Sequence, residues 1–362
     1  MDMPPRKPAP PAAKKSEFLP NRPISLRTLG EYLDLSPATI SLVLNNAPGV
    51  RSIPQETRDR VLAAARKFDY RPSFYARSLR GKRSFTIGVL MPDPSDGYAV
   101  LVMNGIEEVL LEEGYFYLAA SHRRKADLIE EYPRLLMDRS VEGFITIDTA
   151  LRHGLSLPVV AIAGYPRLDG VTSILLDHRR AAELALRHLY QLGHRQIAFM
   201  RGQSFSADSD DRWKNLMEVA KELEIEVHRE LTIQLQLKIS SPELGYAATQ
   251  QLLARKPPFT ALVCYNDVAA IGSIRALRDH NLRVPEDVSV LGFDDILAAK
   301  YHNPSLTTIH QPLQQMGSTA AHSLLQRLRG NKEFPDQITV APELVIREST
   351  LPPNPKRMKS RK

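Results

Sequence analysis

The spacing of hydrophobic residues along the chain changes near residue 85. Before that point, residues 25–70 place apolar side chains at helical intervals and contain no apolar run typical of a strand. From Phe85 to about residue 350, short apolar runs alternate with amphipathic segments. The pattern therefore predicts a small all-helical unit followed by a larger α/β unit.

Three short helices are predicted in the first unit. The first places leucines on one face behind a Ser25 cap, and the second follows Ser36 with Pro37 in its first turn. Only residues 34–36 separate these two helices, and such a tight turn is typical of a helix-turn-helix. The third helix, about 54–68, is predicted to bury Val61, Leu62, Ala65 and Phe68.

In the second unit, the apolar runs predict strands separated by amphipathic helices such as 177–192, 208–223 and 267–280. The strand candidates are Thr86–Leu90, Phe116–Ala119, Gly143–Ile147, Val159–Ala163, Gln196–Met200, Ala261–Tyr265 and Val288–Phe293. This alternation requires parallel sheets with right-handed crossovers, and its length exceeds one compact unit. We expect two α/β lobes with a cleft between them, and a ligand at the carboxyl ends of the strands.

The distribution of charge follows the same division. Residues 1–84 contain 16 Lys/Arg and 7 Asp/Glu, residues 85–350 contain 27 and 34, and residues 351–362 contain 5 and none. A basic front end on an acidic body indicates a nucleic-acid-binding module, because cations are needed where phosphates are contacted. Ordinary solvated surface charge is the alternative.

Composition also indicates where the protein is located. No apolar run approaches the roughly 18 residues that span a bilayer. The first twenty residues are rich in Pro, Lys and Ala, and the single Cys264 cannot form an internal disulfide. We expect a cytoplasmic, nucleoid-associated protein with no membrane contact. Residues 1–24 are predicted to be a disordered lead-in and residues 351–362 a basic disordered tail.

The motifs resemble those of the lactose-repressor (LacI/GalR) family of bacterial regulators. Ile24–Asn45 resembles the opening helices of that family, Glu56-Thr-Arg58 its third helix, and Tyr70–Arg80 its hinge. Further similar segments are Gly105–Glu108, Val141–Gly143, His188–Ala198, Tyr265–Asp267, Val284–Asp295 and Leu306–Ile309. The resemblance covers nearly everything from Ile24 to Ser349.

The resemblance implies an all-α helix-turn-helix headpiece and an α/β two-lobed effector domain like that of periplasmic binding proteins. The headpiece would occupy residues 25–71 and a hinge helix with its linker residues 72–84. Residues 85–350 would bind the effector and form the dimer.

The resemblance also assigns DNA contacts to the second helix. The predicted DNA-binding residues there are Ser36, Pro37, Ala38, Thr39, Ser41, Leu42 and Asn45, with Pro37, Ala38 and Leu42 on the bases. Many family members carry Arg or His where this chain has Leu42, which cannot hydrogen-bond guanine but could contact a thymine methyl. Alternatively, Leu42 is an exposed leucine on a helix that does not bind DNA. The loop 46–53 is longer than usual by about three residues, so the family's phosphate contacts there are not carried over.

The hinge is predicted to fold when the protein binds its operator. By the same resemblance, Ala76 and Leu79 would enter the minor groove of a bent site, where a leucine wedge unstacks a base step. An ordinary flexible linker is the alternative for residues 72–81.

Six residues are candidates for effector binding. Arg212, Asn266 and Asp294 match ligand-binding positions of the family, whereas Asp93, Tyr98 and Asp148 are candidates on the other lobe. Such groups offer directed donors and acceptors, which suits a polyol. Ala99 replaces the second ring of an aromatic pair found in many members, so a stacked purine is less attractive. Alternatively, Asn266 caps the next helix and Asp294 caps a turn.

Two other classes of protein agree less well with the sequence. An enzyme is not indicated, because the sequence has no P-loop, no G-x-S-x-G motif and no Cys/His metal spacing, and we expect neither cofactor nor metal. A periplasmic sugar-binding protein would need a signal peptide and would not use residues 25–80. We therefore expect a homodimeric regulator, in this family usually a repressor, that binds an inverted-repeat operator and responds to a small, sugar-like effector.

Overall fold

The structure is a computed structural model with two compact units, which meet between Ser84 and Phe85. It describes residues 24–45, 47, 49–70, 83–94, 97–149, 151–163, 168–204, 206–236, 241–255, 258–331 and 333–354. Within these ranges, no helix has both the length and the apolar content needed to cross a membrane.

The first unit is helical, as predicted. Its helices are α1 (Leu26–Leu33), α2 (Pro37–Leu44) and α3 (Gln55–Lys67), with a short 3-10 helix at Val50–Ser52. Both predicted caps are confirmed, because the hydroxyls of Ser25 and Ser36 each accept a hydrogen bond from a first-turn N–H at 3.1 Å. The buried apolar side chains form one core: Leu29, Leu33, Ile40, Val43, Val50, Val61 and Ala64.

The prediction that Leu62 is buried was wrong. Its side chain is 40% exposed, whereas Val61 and Ala65 are buried as predicted and Phe68 is half-buried. Ala64, which was not predicted, is buried as well. Adjacent residues of an α-helix point about 100° apart, so Leu62 turns away from the stripe that starts at Val61.

The turn between α1 and α2 depends on Gly30. Asp34 ends α1 in the left-handed region with φ 56°, and the N–H of Leu35 bonds the carbonyl of Gly30 at 3.0 Å. A Cβ atom on Gly30 would lie 2.8 Å from the carbonyl oxygen of Leu35. Glycine therefore lets the turn pack directly against α1, which fixes the direction in which α2 leaves.

Two six-stranded sheets form the second unit within the described residues. In the first sheet the order is β11-β5-β4-β3-β1-β2, and every pair is parallel. Its strands are β1 (Thr86–Met91), β2 (Phe116–Ser121), β3 (Gly143–Ile147), β4 (Val159–Ile162), β5 (Val171–Leu176) and β11 (Gln337–Val340).

The second sheet has the order β12-β10-β9-β8-β6-β7 and is parallel except for the pair of β10 and β12. Its strands are β6 (Ile197–Arg201), β7 (Thr232–Gln234), β8 (Ala261–Val263), β9 (Ser289–Asp294), β10 (Thr307–His310) and β12 (Glu343–Val345). Every residue of β1, β3, β8 and β9 is buried, as expected for strands covered on both faces.

Helices connect the strands of both sheets. They are α4 (Gly97–Glu112), α5 (Ala126–Met137), α6 (His178–Leu192), α7 (Ala207–Glu222), α8 (Pro242–Ala254), α9 (Asp267–Asp279), α10 (Leu297–Tyr301) and α11 (Leu313–Leu328). A further 3-10 helix spans Arg229–Leu231.

The chain passes between the two lobes three times. It leaves the first sheet after β5 for α6, returns after β10 to form α11 and β11, and leaves again for β12. Helix α11 packs on α4 of the first lobe so closely that a Cβ on Gly105 would lie 1.9 Å from the carbonyl oxygen of Gln314. The first lobe is therefore built from two separate parts of the sequence.

Candidate functional site

Helix α2 presents the residues that were predicted to contact DNA. Ile40 and Val43 face the core, whereas Ser36, Pro37, Ala38 and Asn45 are exposed. The remaining predicted contacts, Thr39, Ser41 and Leu42, are half-buried. The outer surface of α2 thus combines small and polar side chains with one leucine.

Hydrogen bonds within α2 hold its polar side chains. The Ser36 hydroxyl accepts from the Thr39 N–H and lies 2.8 Å from the Thr39 hydroxyl. At the other end, the Asn45 amide donates to the carbonyl oxygen of Ser41 at 2.8 Å. These bonds stabilise both ends of a helix of only eight residues. The hinge residues Ala76 and Leu79 lie outside the described residues.

A cavity in the second unit lies where strands of both sheets end. The first lobe contributes Tyr98, Arg124, Asp148 and Ala163 to its lining. The second lobe contributes Gln203, Ser206, Asp208, Arg212, Tyr265, Asn266 and Asp294. Five of the six predicted effector-binding residues meet here; Asp93, half-buried after β1, is not among the lining residues.

Three lining residues have an uncommon backbone conformation. Asp148, Ala163 and Asp294 follow or end strands and have φ values of 40°, 63° and 115°. Non-glycine residues rarely adopt positive φ, and such strain concentrates at functional sites. The backbone therefore turns sharply at this edge of both sheets to aim side chains into the cavity.

Asp208 forms the centre of a buried charged cluster in the second lobe. One carboxylate oxygen lies 2.7 Å from His178 Nε2, and the other accepts from Arg212 Nη2 at 2.9 Å. Burial acts to raise the pKa of Asp208, but its charge interactions and hydrogen bonds with His178 and Arg212 outweigh that effect and lower the pKa. Asp208 is therefore ionised at neutral pH.

The Arg212 guanidinium is held on several sides. Its Nη1 donates to the backbone carbonyl of Tyr265 at 2.5 Å. Its central carbon lies 3.5 Å from the ring centroid of Phe293 and 4.6 Å from that of Tyr265. Arg212 was predicted to offer a fork to the ligand, and the structure shows that both of its terminal nitrogens already bond protein groups.

The first lobe carries a second ion pair at the cavity. Arg124 Nη2 donates to Asp148 at 2.6 Å, and the Ser206 hydroxyl of the second lobe lies 3.4 Å from the other oxygen of Asp148. Asp148 therefore takes part in a contact between the lobes.

Asn266 and Asp294 have structural partners as well as places in the lining. The side-chain oxygen of Asn266 accepts from the Ala269 N–H at 2.9 Å, so the predicted alternative of a helix cap applies to this residue. The cap uses only the side-chain oxygen of Asn266 and does not involve its side-chain nitrogen, Nδ2. Asp294 accepts from the Gln311 amide at 2.6 Å.

The Tyr98 hydroxyl is buried and has no hydrogen-bond partner among the described residues. Burial raises the pKa of Tyr98 well above its ordinary value, and the charges of Asp208, Asp148 and Asp294 raise it further. A buried polar group without a partner costs about 1–3 kcal/mol, which a ligand bonding that hydroxyl would offset. The phenol therefore has an unused donor at the cavity.

Sequence reasoning missed six lining residues. These are Arg124, Ala163, Gln203, Ser206, Asp208 and Tyr265. Two of them had a local signal: Asp208 precedes Arg212 by one helical turn, and Tyr265 precedes Asn266 in the Tyr265–Asp267 segment that resembles the family. Within the described ranges, no group of His, Cys, Asp or Glu side chains is arranged to hold a metal ion.

Comparisons with known proteins agree with this architecture. Residues 34–73 match the model of bacterial regulatory proteins of the lacI family, and residues 186–350 match that of the periplasmic binding protein-like domain. The HTH-type transcriptional repressor PurR of Yersinia pestis is 31% identical over 334 residues, which cover 90% of this chain and 96% of that protein. PurR of Yersinia pseudotuberculosis gives the same identity and coverage.

Solved structures of similar proteins show the same fold. The lac repressor dimer bound to operator and the anti-inducer ONPF is 26% identical with a TM-score of 0.80, covering 91% of this chain and all of that one. A LacI family regulator from Enterococcus faecium with bound ribose is 27% identical with a TM-score of 0.67, covering 74% of this chain and all of that one.

A helix-turn-helix unit joined to a two-lobed ligand-binding fold defines a DNA-binding transcription regulator, not an enzyme. The chain belongs to the lacI family of bacterial regulatory proteins.

Proposed function

We propose that this protein is a homodimeric, cytoplasmic repressor that binds an inverted-repeat operator. Its affinity for the operator rises or falls when a small polyhydroxylated effector occupies the cavity between its lobes. In this proposal residues 25–71 form the headpiece, 72–84 the hinge and 85–350 the effector-binding and dimerising body. The observation that carries it is the polar cavity at the strand ends of both lobes, in a chain that also contains a helix-turn-helix.

Helix α2 is assigned the operator contacts. Pro37, Ala38 and Leu42 would contact bases, and Ser36, Thr39, Ser41 and Asn45 the neighbouring phosphates and groove edges. Ala76 and Leu79 would reach the minor groove. The operator in the related lac repressor complex supports this assignment.

Sugar-like chemistry suits the cavity. Tyr98, Asn266 and Asp294 together present hydroxyl, amide and carboxylate groups at one place, which is the mixture that binds adjacent hydroxyls. The ribose bound to the similar Enterococcus faecium regulator supports a polyol of about that size. Asp148 and Arg212 would position the same ligand from opposite lobes.

Exposed apolar side chains favour a dimer. Phe116 lies on β2, the edge strand of the first sheet, and is 67% exposed, whereas Leu297 and Tyr301 on α10 are both more than 70% exposed. Large apolar side chains that are this exposed are candidates for burial against a second copy of the chain. The related lac repressor is a dimer in its operator complex.

The operator proposal is tested by selecting bound DNA from a random pool with the full-length protein. The expected product is an inverted repeat, because a two-fold dimer presents two identical helices. Leu42→Arg should shift one position of each half-site toward guanine, whereas Leu62→Arg, on an exposed position of α3, should leave the preference unchanged. Selection of no symmetric site would contradict the proposal.

The effector proposal is tested with Tyr98→Phe in the full-length protein. The substitution removes only a hydroxyl that has no protein partner among the described residues, so stability should be kept while effector affinity falls about tenfold. Tyr246→Phe is the control, because it removes a tyrosine hydroxyl that lies on α8, outside the cavity lining, and bonds Asp279 at the end of α9. Undiminished ligand binding by Tyr98→Phe would place the effector elsewhere.

A further inference from the structure

The described lining residues of the cavity carry an excess of negative charge. Of its described lining residues, Asp148, Asp208 and Asp294 are acidic, whereas Arg124 and Arg212 are basic. Asp208, Arg212 and Asp294 are each no more than 8% exposed, so solvent screens their charges poorly. An anion entering the cavity would therefore meet a field that opposes it.

Arg124 and Arg212 both already pair with carboxylates of the protein. Arg124 bonds Asp148 at 2.6 Å, and Arg212 bonds Asp208 at 2.9 Å. An arginine binds phosphate or carboxylate strongly through two parallel N–H bonds. In Arg212 one terminal nitrogen is directed at Asp208 and the other at the Tyr265 carbonyl, while Phe293 and Tyr265 lie against its guanidinium. An anion that bonded these terminal nitrogens would compete with Asp208 and with the Tyr265 carbonyl.

We infer that the cavity selects a polyol that is uncharged or carries a protonated amine, and that Asp208 is the residue that excludes phosphorylated and carboxylated analogues. Asp208 acts by neutralising Arg212 and fixing its orientation. It belongs to α7 together with Arg212, one helical turn earlier, so the two side chains pair without any movement of the backbone. This inference rests on the proposed polyol effector and specifies the charge that such an effector carries.

His178 strengthens the arrangement. Its Nε2 holds the second oxygen of Asp208 at 2.7 Å from the start of α6, so the carboxylate is fixed from two helices. These two contacts hold the Asp208 side chain directed toward Arg212.

The test uses the full-length protein and matched probes. D-glucose, D-glucosamine and D-glucose 6-phosphate form one set, and D-ribose and D-ribose 5-phosphate another; binding is read from the shift in melting temperature and by calorimetry. At least one neutral or amine-bearing probe should bind, and its phosphorylated counterpart should bind at least tenfold more weakly. Tighter binding of the phosphorylated probe would overturn the inference and leave the polyol proposal standing. Binding of no probe would overturn both.

Variants locate the cause of the selectivity. Asp208→Asn should narrow or reverse the preference, because Arg212 is then free to pair with a phosphate. Asp148→Asn, which removes the negative charge paired with Arg124 on the other lobe, should move the preference in the same direction. It provides the test if Asp208→Asn folds poorly. Asp210→Asn is the control, because it removes the same charge from the same helix at an exposed ion pair with Arg201. An unchanged preference in folded Asp208→Asn or Asp148→Asn protein would refute the role assigned to these carboxylates.

Discussion

Replacing Leu29 by alanine should unfold the helix-turn-helix unit and leave the two-lobed unit intact. The Leu29 side chain is fully buried at the centre of the small core that joins α1, α2 and α3. Truncation of a buried leucine to alanine costs about 2–5 kcal/mol. A unit of about 45 residues is stabilised by only roughly 2–7 kcal/mol in total. The loss is therefore comparable to the whole stability of the unit.

Amide hydrogen exchange in the full-length protein measures this effect directly. A loss of about 3 kcal/mol should accelerate exchange in peptides from residues 26–44 by about 150-fold. Peptides from β1 serve as an internal reference, because β1 belongs to the other compact unit. Operator binding should fall with the population of folded headpiece, whereas the melting shift given by an effector should remain.

Leu62→Ala provides the matched control. It deletes the same atoms from the same unit, but at a position that is 40% exposed, so the expected cost is at most about 1 kcal/mol. If Leu62→Ala accelerated exchange as much as Leu29→Ala, the assignment of the core would be refuted. Unchanged exchange in Leu29→Ala would refute it equally.

Other substitutions test the packing, a buried charge and a helix cap. Gly105→Ala should lower the melting temperature of the second unit, because the new Cβ would lie 1.9 Å from the Gln314 carbonyl oxygen and overpacking costs about 1–3 kcal/mol. Gly154→Ala is the control and should leave the melting temperature unchanged, because no atom lies within 4 Å of its Cβ position. Burial raises the pKa of Asp267 to about 7. Between about pH 4 and 7 the folded chain therefore keeps a proton on Asp267 that the unfolded chain has released, so the free energy of unfolding should fall as pH rises through this range. Melting curves across this window should show a weaker decline in Asp267→Asn, and an identical slope would contradict the assignment. Ser36→Ala should cost the headpiece about 1 kcal/mol, measured by the same exchange experiment, and no cost would show that the cap is dispensable.

Strands covered on both faces were predictable because they form uninterrupted apolar runs. β1, β3 and β9 are of this kind, and their predicted bounds agree with the observed ones within one residue. The strands that were not predicted are shorter, more polar or at sheet edges: β5, β7, β10, β11 and β12. In β11, for example, Gln337 and Thr339 are exposed. A local pattern does not distinguish such a segment from a loop, because its stability comes from a strand that is distant in sequence.

The route of the chain between the lobes was not predictable for the same reason. β11 pairs with β5 in parallel, with Ile338 opposite Ile174, although about 160 residues separate them. The Thr172 hydroxyl also donates to the Pro335 carbonyl at 2.9 Å. Only tertiary packing determines that residues 313–340 return to the first lobe.

Burial determines which aspartate of α7 lines the cavity, and the sequence does not show burial. Asp208, Asp210 and Asp211 lie within one turn of α7 and are the same amino acid, so the sequence alone does not distinguish them. Asp208 is buried against Arg212 and His178, whereas Asp210 is exposed and pairs with Arg201 at the surface. Helical periodicity could have placed Asp208 on the face of Arg212, but it could not show that this face is the buried one.

The two halves of the cavity give a physical route from ligand to DNA affinity. Asp148 and Ser206 approach to 3.4 Å across the lobes, and a ligand that bonds Tyr98 on one side and Asp294 on the other would add to this link. The lobes are joined by three crossings of the chain, and hinged movement of lobes around a ligand is a common switching transition. An effector changes operator affinity only as far as it binds one arrangement of the lobes more tightly than the other. In the proposed function, a polyol bonded by both lobes would meet that condition, since an arrangement with the lobes further apart would lose the contacts of one lobe.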